Sequence, residues 1–281
     1  MANYGTVPGE TRAQNGTTNT GDEETAALLG NKSEGSSSIR KRFHTHMTSN
    51  VSNAWGDIAL LGSYIITGLL DSCSVFIWGS FLSMQTGNTI YLGLGLAAPN
   101  DSSRWQRSGT SVACFCLGSF IFARYHRYFG PRKRWVLVSS YGIQLLLIVA
   151  AALMVTLGPE TGTTGPMTLF IGMPIALIAF QSAGQAVTSR VLAYNSMTGV
   201  VLTSIYCDLF SDAKLFSPPR ANAERNRRAA APVLLLIGAV FGGVWAHSEI
   251  GLSGALWTAV GLKFFIVLAW CCWSAEDKSL P

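Results

Sequence analysis

The sequence predicts an all-α membrane protein: six transmembrane helices plus two short broken or re-entrant helices, arranged as an inverted internal repeat. Three observations point there. The 281 residues are 49% hydrophobic and only 12% charged, about half the charge of a soluble domain. The apolar residues gather into long runs, without the alternation of a barrel strand. Two of those runs, "SMQTGNTIYLGLGLA" from Ser83 and "YNSMTGVVLTSIYCDL" from Tyr194, are interrupted by polar and flexible residues.

The elements follow in chain order. Residues 1–52 are rich in Thr, Asn, Gly, Ser and Glu, with few large apolar side chains. They are expected to form a disordered cytosolic tail, and they lack the apolar core of a signal peptide. Within it, "EETAALL" sets Glu24 four residues before Leu28 and Leu29. That is the spacing of an acidic dileucine sorting signal, so vesicle-adaptor binding through these three residues is an expectation, although so short a pattern also arises by chance. The transmembrane domain is expected over 53–275, with a short carboxy-terminal tail at 276–281. Spans are predicted at about 57–79, 109–128, 135–157, 166–186, 231–248 and 254–273. Each meets the ~20 residues that a helix needs to cross a bilayer core of ~30 Å. The odd segments, about 81–98 and 195–210, are shorter.

Charge in the connecting loops sets the orientation. If both odd segments dip in and return, every flanking Lys and Arg except Arg104 and Arg107 falls in the cytosol, together with the amino terminus. If both cross fully, Arg124, Arg127, Arg132, Lys133, Arg134 and Arg190 fall outside instead. The positive-inside bias favours the re-entrant arrangement. The net charge of +5 is thus read as a topology signal, not a nucleic-acid footprint. Six cysteines and four histidines show no metal spacing, so no metal and no cofactor is expected.

Aligning the two Thr-Gly pairs reveals a unit used twice: span, broken segment, span, span. Repeat one covers about 57–157 and repeat two about 166–273. With three full spans per unit, the second copy enters from the opposite face, the plan of many secondary transporters. A helix broken inside lipid survives only where its unpaired backbone groups meet protein or a wet cavity. Gln85, Thr86, Gly87 and Asn88 in the first break, and Thr198 and Gly199 in the second, are therefore expected to line a substrate or ion pathway.

The stretch "GLLDSCSVFIWGSFLSMQTGNTIYLGLGLA", with an Asp followed by Met-x-Thr-Gly-Asn, resembles the opening motif of the YoaK-like family of uncharacterised membrane proteins. "NSMTGVVLTSIYCDL" is similar to that family's Thr-Gly echo in the second half. Gln85 interrupts the first motif. The resemblance implies an integral membrane protein over about 57–273 and supplies no substrate.

Four more residues are expected in the pathway. Asp71 lies inside the first span, where a carboxylate costs at least ~2.5 kcal/mol. Lys263 lies in the middle of the last span and needs a partner, for which Asp71 is the first choice. Gln181 and Gln185 stand ready to cap the second break. Gly238 and Gly242 form a GxxxG packing pattern, Pro174 is placed to kink its span, and Trp55, Trp78, Trp105, Trp135, Trp257 and Trp273 read as an interfacial belt. No nucleophile–base pair is visible, so catalysis is not expected. The reading is a secondary transporter of an unidentified small molecule or ion in a eukaryotic plasma or internal membrane. A non-transporting scaffold, sorting or lipid-interacting protein is the alternative.

Overall fold

The computed structural model describes residues 40–52, 56–162, 165–194, 197 and 201–276. Glu24, Leu28 and Leu29 lie outside them, as do Thr198 and Gly199. The chain divides into units of residues 1–45 and 46–281, and all the long helices belong to the second.

These helices are α1 (Gly56–Trp78), α2 (Gln85–Ala97), α3 (Arg104–Phe129), α4 (Arg134–Leu157), α5 (Leu169–Val191), α6 (Thr203–Phe210), α7 (Ala223–Ala246) and α8 (Gly251–Cys272). Five of them, α1, α4, α5, α7 and α8, are long and apolar enough to cross a membrane. No strand occurs among the described residues, only bridges joining Asn50 to Lys133 and Val51 to Ala275. α3 is longer still at 26 residues. Its mean hydropathy is held down by Arg104 and Arg107 at one end and by Arg124, His126 and Arg127 at the other.

Local chemistry sets the boundaries. α1 stops where Gly79 takes φ +72°, and α3 stops at Gly130, φ +98°, just before Pro131. Glycine enters this left-handed region at little cost. α5 runs past the expected end at 186 to Val191. There Ala193 adopts φ +64°, and the Tyr194 amide donates to the Ser189 carbonyl at 2.8 Å, closing the helix in a Schellman turn. α7 begins eight residues before the expected 231, because the Asn222 side chain accepts from the Arg225 amide and starts the helix in its basic turn. Pro174 and Pro232 lie within α5 and α7, which stay helical across them.

The packing forms two parallel pairs. α1 lies along α7: Asp57 meets Arg227 at 2.6 Å, and the Phe76 and His247 rings stand 4.5 Å apart at the far end. A Cβ added to Gly238 would sit 2.1 Å from the Ile65 carbonyl oxygen, and one added to Gly242 would sit 2.2 Å from that of Leu69. α3 lies along α5 in the same manner, Gly118 against Phe180 and Gly184 against Phe122. α4 and α8 run antiparallel, with the Tyr141 and Trp270 rings tilted together at 5.9 Å and the Thr156 and Ser253 hydroxyls 2.7 Å apart. α4 also packs on α5, and α8 on α1.

Both ends of the bundle are clamped by buried arginines. At the end where α1 finishes, Arg107 donates to the carbonyls of Trp78 (2.9 Å), Gly162 (3.2 Å) and Gly165 (3.2 Å). At the other end, Arg134 donates to the His46 and Trp273 carbonyls and to Ser49 Oγ. Trp78 is not part of an exposed aromatic belt: it is buried and donates its indole N–H to Thr161 Oγ1 at 2.9 Å.

Candidate functional site

The first break is built from the residues that end α1. Beyond Gly79 the chain does not continue outward; residues 79–84 turn back alongside α1. Asp71, 8% exposed, catches this returning strand. Its Oδ1 accepts from the Leu82 and Ser83 amides at 2.7 and 2.8 Å, and its Oδ2 accepts from the Ser83 hydroxyl at 2.5 Å. Ser74 Oγ donates to the Ser80 carbonyl at 2.8 Å. Ser182 of α5 donates to the Leu82 carbonyl at 3.3 Å. These bonds replace the helical ones that the break gives up.

Asn88, fully buried in the first turns of α2, closes the hairpin from its other arm. Its Oδ1 accepts from the Phe81 amide at 3.0 Å, and its Nδ2 donates to the Phe81 carbonyl at 2.8 Å and to Ser111 Oγ at 3.0 Å. Gln85 Nε2 donates to the same Ser111 at 3.2 Å. A Cβ on Gly87 would stand 2.6 Å from the Phe81 ring, so the close approach of the arms requires glycine there. α2 then leads back out: Gly95 packs on Trp105 beside the start of α3.

Beyond the end of α5, the Tyr194 ring carries the Arg227 guanidinium 5.2 Å from its centroid. Burial, and then the nearby Asp57 carboxylate, raise the pKa of the Tyr194 hydroxyl from its ordinary value. Val201, Leu202 and Thr203 line a cavity together with Thr67, Leu235 and Ala239. α6 then runs to a loop held by Arg225, which donates to the Ser217 carbonyl at 2.7 Å.

The expected Asp71–Lys263 pair does not form. Lys263, fully buried, donates to Gln185 Oε1 at 3.0 Å and lies 4.7 Å from the Tyr141 ring centroid. Gln185 in turn donates to the Ser63 carbonyl at 3.1 Å and to Thr67 Oγ1 at 3.0 Å. The two charges sit at different heights. Asp71 is engaged by a strand near the end of α1, whereas Lys263 reaches toward Gln185 in the last third of α5. Gln185 therefore binds α1 and α8, and Gln181, 2% exposed, keeps Oε1 without a partner among the described residues.

Two cavities flank the tip of the first hairpin. One, of 620 Å³, lies between α2, α3 and α5 and is lined in part by Gln85, Thr86, Ser119, Arg127 and Arg190. The other, of 450 Å³, lies between α1, α2 and α7 and is lined in part by Asp71, Thr86, Gly87 and Thr203. Thr86 and Val201 line both. The sizes suit small-molecule sites. Sequence reasoning assigned Arg127 and Arg190 to topology alone and did not single out Ser111, Tyr141 or Arg107. A serine inside an apolar run, or an arginine at a helix end, carries no periodic signal that would separate a lining role from a structural one.

Five helices long and apolar enough to cross a membrane, packed around buried polar groups, give the chain the make-up of a multi-helix membrane protein. The model of a family described as "Protein of unknown function (DUF1275)" matches residues 58–269, and the chain belongs to that family. No curated protein and no solved structure matches it.

Proposed function

We propose that the protein is a secondary transporter of a small molecule or ion, with six spans, α3 being the sixth, and two re-entrant half-helices in an inverted repeat. The observation that carries this reading is the pair of short helices, α2 and α6. α2 starts beside Asp71 and leaves at the end of the bundle where α1 finishes. α6 starts beside Thr67 and leaves at the opposite end, where Asp212 and Arg228 lie 3.7 Å apart. At 13 and 8 residues, they reach about 20 and 12 Å at 1.5 Å per residue, short of the ~30 Å core.

The packing supports the same reading. Exchange the first repeat (α1 to α4) for the second (α5 to α8) and the contacts are preserved: α1 on α7 becomes α5 on α3, and α4 on α5 becomes α8 on α1. The end that holds Arg127, Arg132, Lys133, Arg190 and Arg227 is then cytosolic. Transport would proceed by rocking one repeat against the other around the cavities that meet at Thr86.

The test is uptake into proteoliposomes from a panel of labelled metabolites and ions, with Thr86→Ile as the variant. Thr86 lines both cavities, so a carrier loses uptake while its helical content and thermal unfolding stay those of the wild type. Uptake unchanged by Thr86→Ile, or none for any compound, overturns the proposal.

A further inference from the structure

We infer that the small cavity between Asp71 and Gln181 binds a single sodium ion, the coupling ion of the proposed carrier. The inference rests on the carrier reading for the ion's role, not for its binding. The cavity measures 10 Å³, room for one water-sized particle, and every residue lining it is buried. Its polar lining comes from α1 (Thr67, Asp71), the hairpin (Ser83) and α5 (Gln181, Ser182, Gln185).

Most donors around this cavity are turned away from it, the Gln181 amide Nε2 being the exception. Thr67 donates to the Ser63 carbonyl at 3.1 Å, Ser182 to the Ala179 carbonyl at 2.8 Å, and Ser83 to Asp71 itself at 2.5 Å. Gln185 spends its amide hydrogens on Ser63 and Thr67, and its oxygen is taken by Lys263. What remains for the cavity is hydroxyl lone pairs, the Asp71 carboxylate and the Gln181 amide, whose buried Oε1 has no partner among the described residues.

A lining of oxygen acceptors with one negative charge suits a hard cation and repels an anion. No Lys, Arg or His among the described residues comes within 4.0 Å of Asp71, and a buried charge without a counter-charge is costly. One carboxylate balances a monovalent ion. Sodium is the smaller of the two common monovalent ions that such a void admits, and the potassium arm of the experiment tests whether size decides. Binding there would tie α1, the first hairpin and α5 together, which is the linkage between repeats that coupling needs.

The experiment uses the full chain in lipid nanodiscs, with sodium chloride replaced by choline or potassium chloride at constant ionic strength. Intrinsic fluorescence follows thermal unfolding, and radioactive sodium measures binding directly. Sodium is expected to raise the unfolding temperature saturably, and potassium and choline are not. Gln181→Leu removes no described hydrogen bond, so it should unfold like the wild type in choline while its half-saturating sodium concentration rises at least about tenfold. Asp71→Asn should abolish the response.

An equal response to all three salts, or an unchanged half-saturation in Gln181→Leu, overturns the inference. So does unfolding that follows pH and ignores sodium, which would put a proton on Asp71. Sodium binding without transport of any compound would sink the carrier reading and leave the site standing. Uptake that runs equally in choline, with no sodium bound, would do the reverse.

Discussion

The ammonium of Lys263 reaches Gln185 Oε1 at 3.0 Å across the interface of α8 and α5, so a neutral amide holds the buried cation. Gln185 passes the contact on to Ser63 and Thr67 of α1. One side chain thus links three helices.

Removing the two partners should have unequal consequences. Lys263→Met deletes the buried charge and keeps the volume but leaves the neutral Gln185 Oε1 without its donor, a smaller loss than stranding a charge. Gln185→Leu leaves the ammonium without its acceptor and should cost roughly 1–3 kcal/mol or more. The double variant should recover most of that loss. Thermal unfolding of the three proteins checks the order, and equal losses in both single variants would refute it.

The parallel helix pairs depend on glycine at the points of closest approach. Gly238→Ala and Gly242→Ala place a methyl about 2 Å from backbone carbonyls of α1; the helices must separate, at a cost of about 1–3 kcal/mol each. Gly243 has nothing within 4 Å of an added Cβ. Gly243→Ala should therefore leave the unfolding temperature unchanged or slightly raised, and a drop equal to that of Gly238→Ala would count against this packing.

In the first hairpin, Asn88→Leu strands the Phe81 amide and leaves the Phe81 carbonyl with only the Ser80 hydroxyl, at 3.3 Å. Each buried group left unpaired costs roughly 1–3 kcal/mol. Ser111→Ala removes only one of several acceptors around Asn88 and should be milder. Unfolding temperatures should rank wild type, Ser111→Ala, then Asn88→Leu.

The proposed inverted repeat makes a topological prediction. Asp101 follows α2 and Lys214 follows α6. In a background with the six free cysteines replaced, Asp101→Cys should react with an impermeant maleimide from outside the cell. Lys214→Cys should react only after permeabilisation. Labelling of both from one face would disprove the inverted arrangement.

The loop after α6 should respond to acid. Asp212 accepts from the Lys214 amide at 2.8 Å and from the Asn222 side chain at 3.0 Å. These bonds, with Arg228 and Arg225 adding to them, hold its pKa below the ordinary 3.8. A lowered folded-state value contributes stability above the unfolded value and loses it as pH falls through the folded one. The advantage of wild type over Asp212→Asn should hold at neutral pH and shrink only below about pH 4. An advantage that fades on the alkaline side would contradict it.

Much of the fold was legible because burial in lipid writes a simple code. Runs of about 20 apolar residues marked α1, α4, α5, α7 and α8, and Gln85 to Asn88 marked the break before α2. The GxxxG at Gly238 and Gly242 marked a close contact. Charged ends obscured the true extents: the basic first turn of α7 read as loop, although a helix can begin in the headgroup region with its arginines exposed. Of the site, Asp71 and Asn88 were found by their polarity at depth. Their partners were not, because Leu82, Ser83 and Ser111 bond through backbone amides and a small hydroxyl that composition does not distinguish.

Hydropathy and charge along the chain determined by themselves the helical class, the approximate extents of the long apolar helices and the break before α2, since each depends on a local balance between apolar length and backbone hydrogen bonding. Which helices lie side by side, and where each buried polar group finds its partner, was decided only in three dimensions. Asp71 turned to the strand beside it and Lys263 to Gln185 because a buried charge takes the nearest group that can satisfy it. Distance along the sequence says nothing about which group that will be.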